Sequence, residues 1–252
     1  MRIIPVIDLR RGRAVRGRSG ERHRYVPVKS RLAGPRGGDL SDPRALLVAY
    51  RDVLGIGTVY VADLDRIEGR GENDALLFRL LETVPRIRLL WDGGLTGATS
   101  GIGLCRNGRI APVIGTETLR SIESLRSVQR PATAPRPILS LDLHAGGVVS
   151  RSPLVAPLSE EEILRQARRR GVRTAILLLL DQVGSAAGLP RERLQRLRRA
   201  APDLELLAGG GIASIDDLLF LRDASFQGAL LATALHDGIL SPDDLAREGL
   251  LS

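Results

Sequence analysis

The chain has one cysteine, one methionine and one tryptophan in 252 residues, and aromatic residues make up only 3% of it. A single thiol, Cys105, excludes an internal disulfide and a thiolate-rich metal site, and it makes a reducing cytoplasm the expected home. No apolar run approaches the roughly 20 residues that span a bilayer. Met1 leads directly into Ile3-Ile4-Pro5-Val6-Ile7 without a signal-peptide pattern, so no membrane partner is expected. The scarcity of aromatics also bears on charge. A net charge of +8 and a pI near 10.9 raise the question of nucleic acid. Yet the arginines are spread along the whole chain, there is no basic tail, and stacking aromatics are few. That pattern argues against a nucleic-acid partner and for an anionic small molecule. Lysine is nearly absent as well: Lys29 is the only one among 37 basic residues. It marks a candidate place where a compact ammonium is needed rather than a planar guanidinium, although chance leaves a single lysine just as readily.

What is present is a hydrophobic content of 43% with a mean hydropathy of +0.01, enough for a substantial core. Eight short apolar runs recur: Ile3–Ile7, Val59–Val61, Ile87–Trp91, Pro112–Ile114, Ile138–Leu141, Ala175–Leu180, Leu204–Leu207 and Ala229–Leu231. Runs of this length without alternation are the mark of parallel strands buried on both faces. Helix signals separate them. Asp42-Pro43 opens Arg44–Leu54, Ser159-Glu160-Glu161-Glu162 opens Ile163–Arg170, and Ser214 and Ser241-Pro242 open two more. The Gly97–Gly108 stretch carries only a weak helical pattern. Strand and helix alternating eight times in one chain of this length predict an α/β (β/α)8 barrel forming a single domain over residues 1–252. The longest connection, Arg10–Asp42, follows the first strand and contains Lys29; it reads as a loop over the active end.

The second half repeats the first. Ile7-Asp8-Leu9 with Gly12 and Val15 matches Leu141-Asp142-Leu143 with Gly146 and Val149. Asp63 is paired with Asp181, Asp92-Gly93-Gly94-Leu95 with Gly209-Gly210-Gly211-Ile212, and Ile114-Gly115-Thr116 with Leu231-Ala232-Thr233. Matches in order at nearly constant spacing predict two half-barrels, about 1–135 and 136–252.

These residues carry a resemblance. Ile4-Pro5-Val6-Ile7-Asp8-Leu9, Ser140-Leu141-Asp142 with Gly146-Gly147, and Ala208-Gly209-Gly210-Gly211-Ile212 resemble the corresponding segments of the histidine-biosynthesis isomerase and cyclase superfamily. Its half-barrel enzymes handle a bis-phosphorylated aminoimidazole carboxamide nucleotide. The resemblance implies a phosphorylated small-molecule substrate, no cofactor, and an Amadori rearrangement of an aminoaldose to an aminoketose. One acid opens the furanose and one base removes the proton at C2. By this resemblance Asp8 matches the base and Asp142 the acid; strands 1 and 5 face each other across a barrel mouth. Each aspartate could instead cap its own loop. Gly210, Gly211, Ala232 and Thr233 are the expected phosphate site, since barrels bind phosphate after strands 7 and 8. Gly94, Gly115 and Thr116 form the mirror site, and Lys29 is a candidate phosphate contact from the first loop rather than a Schiff-base former.

The sequence also departs from the isomerase. Asp92 stands where the isomerase has the first of three glycines, and a carboxylate beside a phosphate dianion is repulsive. Asp181 adds a third candidate catalytic carboxylate where a neutral hydroxyl is expected, and the Thr and Asp-Gly-Thr after strand 6 are replaced by Leu180-Asp181-Gln182-Val183-Gly184-Ser185. Ala232 replaces a usual glycine. Gly115-Thr116-Glu117-Thr118-Leu119 and Ala232-Thr233-Ala234-Leu235-His236-Asp237-Gly238 resemble a subgroup found with tetrahydromethanopterin-linked one-carbon genes. That opens a second expectation, a lyase or synthase of tetrahydromethanopterin- or methanofuran-type cofactor assembly acting on a smaller phosphorylated compound. A third is a non-catalytic barrel subunit. The carboxylates around the mouth, Asp63 and Asp65 included, raise Mg²⁺ as a ligand, but the isomerase uses none and no metal is expected. His23, His144 and His236 are single and unclustered; His144, two residues after Asp142, is within reach of the site but reads more readily as a surface histidine. The protein is expected to be a monomer or a small homo-oligomer.

Overall fold

A computed structural model describes residues 1–17, 24–97, 102–106, 108–126, 135–184 and 188–251. His23 and Ser185 lie outside the described residues. Eight parallel strands form a closed barrel: β1 (Arg2–Arg10), β2 (Thr58–Asp63), β3 (Arg88–Asp92), β4 (Ile110–Gly115), β5 (Ile138–His144), β6 (Thr174–Leu179), β7 (Glu205–Gly209) and β8 (Gly228–Leu231). β8 closes on β1 with Ile4 opposite Leu230. All eight expected runs are strands. Around them lie α1 (Pro43–Leu54), α2 (Leu64–Ile67), α3 (Asp74–Thr83), α4 (Ile102–Cys105), α5 (Glu160–Arg169), α6 (Arg191–Ala200), α7 (Ile215–Asp223), α8 (Thr233–His236) and α9 (Pro242–Arg247). No helix among the described residues is long and apolar enough to cross a membrane.

The capping residues do what their chemistry requires. The Asp42 carboxylate accepts from the Arg44 amide with Pro43 in the first turn, and Ser159 and Ser214 each accept from the amide three residues on. Ser241 and Asp244 form a reciprocal capping box. α3 and α6 escaped the reading of helix starts because Asn73 and Pro190 make no side-chain cap.

The two halves share one register. Leu9 pairs with Asp63 as Leu143 pairs with Leu179, and Ala62 pairs with Asp92 as Leu178 pairs with Gly209. Asp92 pairs with Val113 as Gly209 pairs with Leu230, and Val113 pairs with Ile138 as Leu230 pairs with Ile4. This register corrects one pairing drawn from the sequence. The partner of Asp63 in the second half is Leu179, and the partner of Asp181 is Asp65. The hydrogen bonds agree: the Arg11 amide donates to Asp65 Oδ2 at 2.6 Å, and the Ala145 amide donates to Asp181 Oδ2 at 2.8 Å. Each aspartate anchors the turn after the first strand of its half.

The connection after β1 is more ordered than a loop. Arg13–Arg16 runs antiparallel to β1, Val26–Pro27 runs antiparallel to Arg13–Arg16 at the sheet's edge, and Lys29–Ser30 pairs with Gly38–Asp39 in a separate ribbon. The second half has only Gly147–Val148 folding back on β5. Alternation along the strands sorts the core. Ile4, Tyr60, Leu90, Val113, Ile138, Ile176, Leu207 and Leu230 fill the barrel, while Ile3, Val59, Leu89, Leu139 and Leu177 pack beneath the helices.

Candidate active site

A cavity of about 410 Å³ opens at the C-terminal end of the barrel, where this fold places its chemistry. Strand parity decides what reaches it. On β1, Ile4, Val6 and Asp8 share the inward side; on β5, Ile138, Ser140 and Asp142 do. Asp8 and Asp142 therefore both line the cavity, together with Asp92 from β3 and Glu117 from the turn after β4. On β2, Tyr60 and Ala62 take the inward positions, which turns Asp63 outward. Its buried carboxylate instead caps α2 at the Arg66 amide and accepts from the Asn73 amide and side chain. Much of the rest of the wall is apolar, with Leu64, Ile67, Leu178, Leu180, Val183 and Ile212 prominent.

Asp142 is strongly perturbed. It is 4% exposed, and burial first, then the neighbouring Asp92 charge, pushes its carboxyl up to about 7. Ser140 Oγ donates to Asp142 Oδ1 at 2.6 Å, the Glu117 amide donates to Oδ2 at 3.0 Å, and the Asp142 amide is held by Thr116 Oγ1 at 2.9 Å. Gly115 is required here: a side-chain carbon on it would lie 2.6 Å from Asp142 Oδ2. Asp92 accepts from the Tyr60 hydroxyl at 3.0 Å and from the Gly94 amide at 3.0 Å. Burial and the Asp92 charge raise the Tyr60 phenol well above its ordinary range, so it stays a donor.

The expected phosphate residues divide by half. Gly210, Gly211, Ala232 and Thr233 all line the cavity. Among the described residues, the amides of Gly210, Gly211, Thr233 and Ala234 donate to no protein group. Gly210 has φ +87° and a side chain on it would strike the Leu179 carbonyl at 2.2 Å, so only glycine allows this turn. In the first half, Gly94, Gly115 and Thr116 do not line the cavity. Their loops' amides are already taken: Gly94 by Asp92, and Glu117 by Asp142. Glu117 itself faces the cavity and pairs with Arg151 at 2.6 Å. None of the described lining residues is a lysine or arginine.

Three other expected residues lie elsewhere. Asp181 is exposed and holds the Ala145 turn outside the cavity. Lys29 is exposed on its ribbon, opposite Asp39. His144 is exposed, its Nδ1 accepting from the Gly146 amide. His236 is 3% exposed, 3.1 Å from Ser30 Oγ and 3.4 Å from the Tyr50 hydroxyl, which donates to the Val6 carbonyl. Burial, then Arg16, lowers it to about 4. The sequence reading also missed Tyr60 and Glu117 as lining residues. Tyr60 was within reach, because inward parity on β2 follows from placing Ala62 opposite Asp8. Among the described residues, no group of three His, Cys, Asp or Glu side chains is arranged to hold a metal ion.

The family model described as histidine biosynthesis protein matches residues 2–241. The chain belongs to this family. Within it, the chain is 30% identical to the 1-(5-phosphoribosyl)-5-((5-phosphoribosylamino)methylideneamino)imidazole-4-carboxamide isomerase of Thermus thermophilus, over 94% of this chain and 95% of that one. It is 27% identical to the isomerase of the same name from Bacillus cereus, over 97% of both chains. It is also 29% identical, over 97% of both chains, to an uncharacterized protein of Methanocaldococcus jannaschii. The chain is thus similar, at the same level, to named isomerases and to an uncharacterized protein.

Proposed function

We propose that the chain is a cofactor-free acid–base isomerase of the aldose–ketose type, acting on an aminosugar substrate that carries one phosphoryl group. The carrying observation is that Asp8 and Asp142 line one cavity, with Asp142 raised to about 7. A carboxyl at that value is about half protonated near neutrality, which suits a general acid. Asp142 delivers its proton to the ring oxygen as the C1–O bond breaks and the open imine forms. Asp8 then takes the C2 proton, and the electron pair moves to give the enolamine. Protonation at C1, with the C2 hydroxyl proton lost and the nitrogen carrying a proton, completes the aminoketose. The free amides of Gly210, Gly211, Thr233 and Ala234 hold the phosphoryl group, and the apolar wall excludes water from the reacting carbons.

The first half argues for a single phosphate. A dianion placed there would meet Asp92 and Glu117, find no lining cation among the described residues, and compete for amides already bound. This departs from the bis-phosphorylated nucleotide implied by the resemblance, and it favours a relative of the named isomerases with a smaller substrate. The same single-phosphate cavity supports the second reading, a lyase or synthase of one-carbon cofactor assembly. Complementation of an isomerase-deficient histidine auxotroph tests the substrate. The expected result is no growth from folded, expressed protein; growth dependent on both Asp8 and Asp142 would contradict the single-phosphate reading. Solvent deuterium incorporation at C2 of candidate aminosugar phosphates separates isomerase from lyase chemistry.

A further inference from the structure

The Asp92–Tyr60 pair is not used by the isomerase chemistry above, yet both groups are buried at the cavity floor beside the acid. We infer that Asp92 is a positioning residue for Asp142: held ionised by the Tyr60 hydroxyl and the Gly94 amide, its carboxylate keeps the one proton of a buried acid pair on Asp142. The inference rests on the reading of Asp142 as the acid.

The geometry carries it. A side-chain carbon at Gly115 would lie 2.6 Å from Asp142 Oδ2 and 3.7 Å from Asp92 Oδ2, so the two carboxylates face one small gap. Those oxygens are therefore at most about 6.3 Å apart, close enough for the Asp92 charge to act on Asp142. Both residues are buried, Asp92 at 8% and Asp142 at 4% exposure, so water screens the repulsion poorly. Two such groups hold one proton between them, and their donors decide where it sits. Asp92 receives the Tyr60 hydroxyl, a donor that does not ionise in the working range. Asp142 receives a serine hydroxyl that can reverse and accept, so its Oδ1 can carry the proton without losing the contact. Among the described residues, two further carboxylates act on the pair: Glu117 from the turn after β4, itself tied to Arg151, and Asp8 across the cavity.

The asymmetry with the second half gives the reason such a device is needed here. Gly209 occupies the position equivalent to Asp92, and the family pattern quoted above has glycine at both. Replacing that glycine by aspartate closes the first-half phosphate site. The same carboxylate then supplies the charge that retains the proton on the acid.

The test is a carboxyl titration of ligand-free protein labelled with 13Cγ-aspartate, the Asp142 resonance being assigned by its loss in Asp142→Asn. Wild-type Asp142 should titrate near neutrality, and Asp92→Asn, which keeps size and removes charge, should lower its midpoint by about one pH unit. A midpoint unmoved in folded Asp92→Asn would overturn the inference. If Asp92→Asn does not fold, Tyr60→Phe serves: the Asp92 resonance should begin to titrate in the same interval as Asp142, and a silent Asp92 would overturn it. Because no substrate is involved, the two readings fail separately. A midpoint that follows Asp92 in a protein without isomerase turnover supports the pairing and sinks the function. Turnover that needs Asp142, with a midpoint indifferent to Asp92, does the reverse.

Discussion

The two halves of this barrel share a register to the residue yet differ in what their loops offer a ligand. After β7 and β8, four amides at Gly210, Gly211, Thr233 and Ala234 donate to nothing among the described residues and border the cavity. After β3 and β4, the equivalent amides at Gly94 and Glu117 are bound by the protein's own carboxylates. The difference involves one position at the end of β3 and one in the turn after β4. Asp92 in place of glycine supplies an internal anion, and Glu117 in place of alanine faces the cavity with another. A shared frame therefore sets where ligands can bind, and single side chains set which ligand each half accepts.

The largest effect expected from breaking this comparison is at the strand-end pair. Asp142→Asn and Asp8→Asn should each lower kcat by about 10²–10⁴ while leaving the circular dichroism spectrum unchanged. An effect under tenfold in either variant would remove that residue from the chemistry. Next, Gly210→Ala forces a side chain against the Leu179 carbonyl at a positive φ. It should weaken inorganic phosphate binding at least tenfold, an effect of about 1.4 kcal/mol or more. Gly94→Ala, the mate of Gly211, should destabilise the fold through contact with Ile67 without changing phosphate affinity. Equal losses of phosphate binding in both variants would abolish the asymmetry.

The pH dependence sharpens the comparison further. Asp142 acts as an acid, so kcat/KM should fall as pH rises through about 7. His236 acts on stability instead. Its folded value is depressed to about 4 against 6.5 in the unfolded chain, so the stability it contributes is full above 6.5 and is lost as pH falls towards 4. The loss amounts to about 3 kcal/mol. In His236→Gln the slope of unfolding free energy against pH over that interval should decrease by about one proton; an unchanged slope would show that other groups govern acid unfolding. The smallest effect is expected at Lys29→Ala, which should change kcat/KM less than twofold, because Lys29 is exposed and does not line the cavity. A tenfold loss would restore it as a ligand contact.

Much of this was legible in the chain. Eight buried strands announce themselves as continuous apolar runs, because both faces of a parallel barrel are covered. The matched aspartates at Asp8 and Asp142 mark the ends of β1 and β5. Matching aspartate to aspartate failed at Asp63 and Asp181, since letter identity ignores strand parity: inward Tyr60 and Ala62 force Asp63 outward, and Asp65 is the true partner of Asp181. The burial of His236 was not legible, because a histidine after a strand gives no sign of the Tyr50 and Ser30 groups beside it. The doubt over Asp92 was raised by charge alone. Its consequence, occupied amides in the first half, depends on hydrogen bonds that no spacing rule contains.

The most direct test of this account is to count anions bound at the barrel mouth in crystals soaked with inorganic phosphate. The account predicts one, held by the amides of Gly210, Gly211, Thr233 and Ala234, with the loops after β3 and β4 empty. Two anions related by the barrel's two-fold repeat, the second beside Gly94 and Thr116, would contradict it.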